Sequence, residues 1–270
     1  MSEGETDPAP AALPRAAAEP HGGDLVPRHS LITRVWHWIN LVAVTVMLMS
    51  GLMIFNAHPR LYWGQYGSNP PGRPDPAWLD LTGFNGGRPF PPWITIPSEY
   101  SLADARLWHF AFAWILGLAI AGYLLWALLS GHIKRDLAPR AGELAPAHVW
   151  HDIKDHARLR FPTGIAALRY NILQKLAYGG VLFVLLPGMI LTGLTLSPGM
   201  NAALPFLVDG FGGRQSARSL HFILAFGLVG FFFIHIAMVV LAGPINEMRS
   251  MLTGRYRLPR APEPRREDTA

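Results

Sequence analysis

The sequence predicts an all-α integral membrane protein, a four-helix bundle, and three observations support this. Hydrophobic residues make up 50% of the 270 residues and charged residues only 15%, whereas about a quarter of a typical soluble domain is charged. Four segments are long and apolar enough to cross a bilayer, which takes roughly 20 helical residues. None of the four contains Asp, Glu, Lys or Arg. They span residues 36–55, 107–129, 176–196 and 220–241.

Composition divides the chain into three parts. Residues 1–26 are acidic, rich in Ala and Pro, and without a hydrophobic pattern, which predicts a disordered N-terminal tail. This tail lacks the basic start and short apolar core of a signal peptide, so we expect the first span to stay in the mature protein. Residues 27–258 form the four-helix domain and residues 259–270 a C-terminal tail. Pro187 lies well inside the third span and predicts a kink there.

The positions of the basic residues predict the orientation of the chain. Of the 23 lysines and arginines, 17 lie in the N-terminal segment up to Arg34, in the second loop from Lys134 to Lys175, and in the C-terminal segment from Arg249 onward. The other 6 lie in the first and third loops. The positive-inside rule therefore predicts cytoplasmic termini, in a multi-pass protein of the bacterial inner (plasma) membrane. This topology accounts for the net charge of +5, so we expect the lipid bilayer as a partner and no nucleic acid.

The first loop, residues 56–100, is expected to lie in the periplasm. It contains nine prolines and seven aromatic residues before its last position, whereas disordered linkers are poor in aromatic residues. Two interpretations remain open, because the aromatic side chains would suit either an aromatic belt at the lipid headgroups or a docking surface for a partner.

Four of the eleven histidines lie in or at the edges of the spans, where an ionisable side chain is costly and indicates a functional site. His221 and His235 are 14 residues apart, so they share one side of a helix and differ in height by about 21 Å. The predicted topology places His37 at the depth of His235, and His109 at the depth of His221. Two facing histidines suit the axial ligands of a haem, whereas zinc needs three or four clustered ligands.

Other residues are predicted to contact the two haems. Arg34, Arg106 and Arg218 each precede a histidine by three residues, so each shares a helix face with it and could pair with haem propionates. The alternative is that these arginines only flank the spans and snorkel to the surface. Gly51 is predicted to let the macrocycle approach the backbone. Its Met-Ser-Gly-Leu context resembles Leu-Thr-Gly-Leu at Gly193, which indicates a faint two-helix repeat.

The lack of cysteine excludes iron–sulfur clusters, thiolate zinc sites and covalently attached c-type haem. The sequence resembles the bacterial cytochrome b561 / nickel–iron hydrogenase b-type cytochrome family in three motifs. These are the Arg-x-Trp-His start of the first span, the Trp-His of the second and the histidine spacing of the fourth. The resemblance covers about Pro27 to Leu258. It implies two haem b groups and electron transfer between a periplasmic oxidoreductase subunit, hydrogenase-like or a molybdopterin enzyme, and membrane quinone in a respiratory chain. The long first loop is similar to the molybdoenzyme-associated branch.

Quinone is expected near His37 and His235, although ordinary polar residues at a helix end would look the same. The candidate residues are Asn40, Asn171, Gln174, Lys175 and Tyr178. Three alternative functions remain open: electron flow in the opposite direction, a stand-alone cytochrome b561 acting as a quinone/superoxide oxidoreductase, and a non-haem membrane anchor or transporter. No residue pattern indicates a catalytic site for a soluble substrate, so we expect the chain to be an electron-transfer subunit.

Overall fold

The computed structural model describes residues 21–68, 76–160, 168 and 170–259. The prediction of four helices long and apolar enough to cross a membrane is confirmed. Each predicted span lies inside one of these helices, which start earlier in the chain than the apolar residues do. They are Leu31–Asn56 (α1), Leu102–Leu129 (α2), Ile172–Leu196 and Arg214–Ala242 (α8).

The third of these helices is interrupted by one wide turn. It consists of α4 (Ile172–Gly180), a π-helical turn (Val181–Leu185) and α5 (Leu186–Leu196). The π turn ends two residues before Pro187, whose ring lacks an N–H and would clash with a carbonyl one turn earlier in a regular helix. The distortion expected of this proline therefore takes the form of a π-helical turn.

Side-chain caps explain why the helices begin before their apolar segments. The Ser30 hydroxyl accepts a hydrogen bond from the Thr33 N–H at the start of α1, and Ser101 caps α2 in the same way. Asn171 and Gln174 form a reciprocal capping box at the start of α4. Each cap satisfies N–H groups that a helix N-terminus leaves without partners.

The helices pack as two pairs, α1 with α2 and α5 with α8. Ala43, Leu116, Ile120 and Leu186 form a buried cluster where the pairs meet. The outward faces are apolar and exposed, and no residue in the most apolar window of α8 is buried. An apolar exposed surface of this extent is suited to lipid rather than to water.

The first and last described segments meet at one end of the bundle, here called the terminal end. Strand β1 (Leu25–Pro27) pairs antiparallel with β4 (Arg255–Arg257), which follows α9 (Pro244–Thr253). The Arg28 guanidinium forms an ion pair with Glu247 at 2.8 Å. Two residues of the predicted N-terminal tail thus belong to strand β1, because the C-terminal segment supplies the partner strand β4. Residues 1–20 of that tail, and residues 260–270 of the predicted C-terminal tail, lie outside the described residues.

The terminal end also carries α3 (Pro146–Ala157), which lies between α2 and α4 in the chain. Two short strands, β2 (Arg60–Leu61) and β3 (Leu79–Asp80), pair at the opposite end, here called the loop end. The described part of the chain is mostly helical, as the all-α prediction expects, and a short two-stranded sheet lies at each end of the bundle.

The first loop folds back onto α8 at the loop end. The Gly64 carbonyl accepts hydrogen bonds from the N–H groups of Gln215 and Ser216, which caps the start of α8. A side chain on Gly213, whose φ is +114°, would lie 2.5 Å from the Gly64 carbonyl, so this contact requires glycine. Helices α6 (Pro198–Ala203) and α7 (Phe206–Gly210) complete this end.

Candidate functional site

Four histidines from three helices form two pairs, one near each end of the bundle. At the terminal end, the rings of His37 on α1 and His235 on α8 have centroids 6.2 Å apart. At the loop end, the rings of His109 on α2 and His221 on α8 are also 6.2 Å apart. The structure thus brings together the residues that the sequence analysis paired, and α8 contributes to both pairs.

The separation within each pair fits a single metal between two imidazoles. A metal–imidazole nitrogen bond is about 2 Å long, so two such bonds in line, extended to the ring centres, span roughly 6 Å. Among the described residues, no group of three or more His, Cys, Asp or Glu side chains could hold a metal ion. A donor set of two imidazoles suits a haem, whose porphyrin supplies the other ligands.

The two loop-end histidines are held through their Nδ1 atoms. The His109 Nδ1 lies 3.1 Å from both the Ser50 Oγ and the Met47 carbonyl, and the His221 Nδ1 lies 2.9 Å from the Thr192 Oγ1. The sequence analysis did not identify Ser50 and Thr192 as site residues. The signal that could have found them is the Ser/Thr-Gly dipeptide that recurs in the first and third spans.

A glycine adjoins each of these hydroxyl residues. A Cβ on Gly51 would lie 3.4 Å from the His109 Cε1, and a Cβ on Gly193 would lie 3.4 Å from the His221 Cε1. These contacts are tight, so glycine lets each imidazole ring approach the backbone of the neighbouring helix. The structure therefore places Gly51 against the ring of a predicted haem ligand.

The terminal-end pair has a different environment. The His37 Nδ1, the Trp36 Nε1 and the Asn40 Oδ1 are buried and have no hydrogen-bond partner among the described residues. The His235 ring stacks on Phe231 at 5.7 Å. Buried polar atoms are seldom left unsatisfied, so three of them within about one helical turn fit a site that receives a polar partner from another molecule.

The three predicted arginines have three different environments. Arg34 donates to the carbonyls of Met251 and Leu252 at the end of α9, a favourable position for a cation. Arg218 is half-buried and donates to the His58 carbonyl. Arg106 is exposed, with its guanidinium 5.7 Å from the centre of the Phe110 ring. Propionate binding stays a prediction for all three.

Most of the quinone candidates have structural partners. Asn171 and Gln174 form the cap of α4. Buried Lys175 lies 2.7 Å from the Glu143 carboxylate. A hydrogen bond from the Arg140 N–H and the contact with Lys175 lower the pKa of Glu143. The remaining two candidates have different surroundings. Tyr178 packs edge-on against Tyr170, and the Asn40 Oδ1 is the unpartnered atom described above.

Another titratable group near the terminal-end pair lies just before α1. Burial, followed by the positive charge of Arg28, lowers the pKa of His29 to about 4. This side chain is therefore neutral at pH 7 and adds no charge to the terminal-end site.

Comparison with known proteins agrees with this geometry. Residues 28–254 match the family described as prokaryotic cytochrome b561. The chain is 28% identical to the putative protein-methionine-sulfoxide reductase subunit YedZ1 of Azospira oryzae, with 77% of this chain and 87% of the relative covered. It is 23% identical to the probable Ni/Fe-hydrogenase B-type cytochrome subunit of Azotobacter vinelandii, with 77% of each covered.

A second such hydrogenase cytochrome subunit, from Azotobacter chroococcum, is 24% identical, with 75% of each chain covered. No solved structure matches the chain. With the four apolar helices, these similarities indicate a multi-pass membrane cytochrome b that binds haem b and takes part in electron transfer. The chain belongs to the prokaryotic cytochrome b561 family.

Proposed function

We propose that this protein is a di-haem cytochrome b that transfers electrons between a periplasmic oxidoreductase subunit and the quinone of the bacterial inner membrane. The observation that carries the proposal is the pair of equivalent sites on α8. His221 and His235 each face a histidine of another helix, and both pairs have the same 6.2 Å separation. The two sites are about 21 Å apart along the helix, so together they reach across most of a bilayer core.

The four histidines hold the two haems in this proposal. His37 and His235 are the ligands at the terminal end, and His109 and His221 are the ligands at the loop end. When bound, each haem iron supplies a one-electron carrier. The glycines at positions 51 and 193 keep the loop-end imidazoles close to the backbone.

Orientation follows from the distribution of basic residues, which places the terminal end in the cytoplasm and the loop end in the periplasm. The loop end then presents exposed aromatic side chains to the aqueous phase or to a second protein. Trp63, Tyr66, Phe84 and Trp93 are 50–79% exposed, and aromatic side chains are enriched at protein interfaces. We propose that this surface contacts the catalytic subunit, because the relatives are named as subunits of a reductase and of hydrogenases.

The partner is therefore a periplasmic oxidoreductase, either hydrogenase-like or a molybdopterin enzyme. The quinone site lies at the terminal end. A quinone carbonyl requires a hydrogen-bond donor, and a quinol hydroxyl requires an acceptor. The unpartnered Trp36 Nε1 and Asn40 Oδ1 supply one of each, and they lie one turn apart on the same face of α1.

The test is a visible spectrum of the purified full-length protein with a haem count. We expect two non-covalent haems per chain and a sharp α-band on reduction, as low-spin bis-histidine haem gives. Reduction of both haems by a quinol and isolation together with an oxidoreductase subunit would support the assignment. A protein without haem would indicate a membrane anchor or transporter. A protein that oxidises superoxide with no partner subunit would indicate the stand-alone alternative.

A further inference from the structure

Two hydroxyl groups contact the loop-end histidines in equivalent ways. Ser50 on α1 contacts His109 of the neighbouring α2, and Thr192 on α5 contacts His221 of the neighbouring α8. Both hydroxyl residues are fully buried. Each is followed by the glycine that touches the same imidazole ring.

The proton of each hydroxyl is committed to the backbone. The Ser50 hydroxyl lies 2.8 Å from the Val46 carbonyl, and the Thr192 hydroxyl lies 2.6 Å from the Gly188 carbonyl, each one turn earlier in its helix. A hydroxyl has one proton, so an oxygen that donates to a carbonyl acts only as an acceptor towards a third group. With the hydroxyl proton donated to the carbonyl, the imidazole Nδ1 is the donor in both contacts.

A backbone carbonyl beside His109 leads to the same protonation state. The Met47 carbonyl lies 3.1 Å from the His109 Nδ1, and a carbonyl only accepts, so this Nδ1 donates. Met189 is the equivalent residue of the other half, because the Thr192 hydroxyl lies 3.3 Å from its carbonyl, as the Ser50 hydroxyl lies 3.2 Å from the Met47 carbonyl. Met47 and Met189 each lie three residues before the hydroxyl residue, so the two halves of the bundle repeat the whole arrangement. With the proton on Nδ1, the Nε2 lone pair is free for a metal.

We propose that Ser50 and Thr192 are positioning residues that hold His109 and His221 in the Nδ1-protonated form and raise the basicity of these two ligands. The inference rests on the proposed di-haem function and adds a difference between the two sites. An acceptor at Nδ1 makes an imidazole a stronger ligand, which favours ferric over ferrous iron. The His37 Nδ1 has no protein partner among the residues that the structure describes, so Ser50 and Thr192 act on the loop-end haem.

The test uses the full-length protein and three variants of α5. Thr192→Val removes the hydroxyl at almost constant volume, whereas Thr192→Ser keeps it. Thr195→Val is the matched control, because the Thr195 hydroxyl is equally buried and donates only to the Leu191 carbonyl. Redox titration of each haem, and the EPR g-values of the ferric protein, report the ligand field of the imidazoles.

For Thr192→Val we expect the loop-end haem equilibrium to shift toward the reduced form by roughly two- to tenfold, the range for one hydrogen bond. A tenfold shift of a one-electron couple raises its midpoint potential by about 59 mV. The g-values of the same haem should change, and those of the terminal-end haem should not. Thr192→Ser and Thr195→Val should match the unmodified protein.

Unchanged potentials and g-values in Thr192→Val, with both haems present, would overturn the inference. Thr192→Val could lose the loop-end haem altogether. In that case, retention of this haem in Thr192→Ser and Thr195→Val supports the proposed role of the Thr192 hydroxyl. Loss in Thr192→Ser as well would overturn that role. The proposed function fails in a different way, because unmodified protein without two bis-histidine haems would contradict it before any variant is compared.

Discussion

Removing one histidine from each pair tests the assignment of the two sites. We expect His235→Ala to remove or convert to high spin only the terminal-end haem, and His109→Ala to affect only the loop-end haem. The reason is distance: His221 and His235 are 14 residues apart on the uninterrupted helix Arg214–Ala242, which is about 21 Å. A haem of the other pair is therefore out of contact with the substitution.

The structure also limits how far the surviving haem should change. Two unit charges about 21 Å apart interact by about 0.8 kcal/mol at an effective dielectric constant of about 20. For a one-electron couple this corresponds to about 35 mV. Losing one haem should therefore move the midpoint potential of the other by no more than about this amount.

The assay is haem content per chain, spin state and redox titration of the purified variants. His151→Ala is the control, because its side chain is 72% exposed and lies 3.3 Å from the Asp155 carboxylate on α3 rather than in a span. This control should retain both haems. The pairing would be refuted if His235→Ala and His109→Ala affected the same haem, or if either variant lost both haems while remaining folded.

Two further predictions concern charged residues. Arg218→Gln should lower the midpoint potential of the loop-end haem by about 40 mV, because a propionate would lose a partly exposed cation worth about 1 kcal/mol. Arg106 is exposed, so Arg106→Gln should lower this potential less. Redox titration measures both effects, and equal shifts of the two haems would contradict the prediction. Glu143→Gln should reduce thermal stability more than Lys175→Met, because it leaves a buried ammonium unpaired. The pKa of Glu143 is lowered in the folded protein. The stabilisation that its carboxylate gives the fold is therefore present above the ordinary pKa of glutamate and is lost as the pH falls through the lowered pKa. Glu143→Gln should remove this pH dependence from the unfolding temperature.

The four spans could be predicted because length and hydrophobicity are local properties of a chain. The strand pair at the terminal end could not, because Pro27 and its partner Arg255 are separated by the whole bundle. Neither strand has enough residues to be recognised alone. The ion pair of Arg28 with Glu247 depends on the same long-range approach.

The histidine pairs were also accessible to sequence reasoning. Helical periodicity places His221 and His235 on one side of a helix, and the alternating direction of the spans gives the depth of each partner. The partners of the arginines were not accessible. Arg34 and Arg218 bind carbonyls of Met251, Leu252 and His58, and these contacts depend on where α9 and the first loop fold back.

The sequence by itself determined the number of spans, the depth of each histidine and the family resemblance, because these depend on residue type and on position along a helix. Only the tertiary structure decided which side chains contact the Nδ1 atoms of the two loop-end histidines. Ser50 and Thr192 reach His109 and His221 through the rotation of one helix about its axis relative to its neighbour. That rotation is set by packing across the whole interface, including the close approach at Gly51 and Gly193.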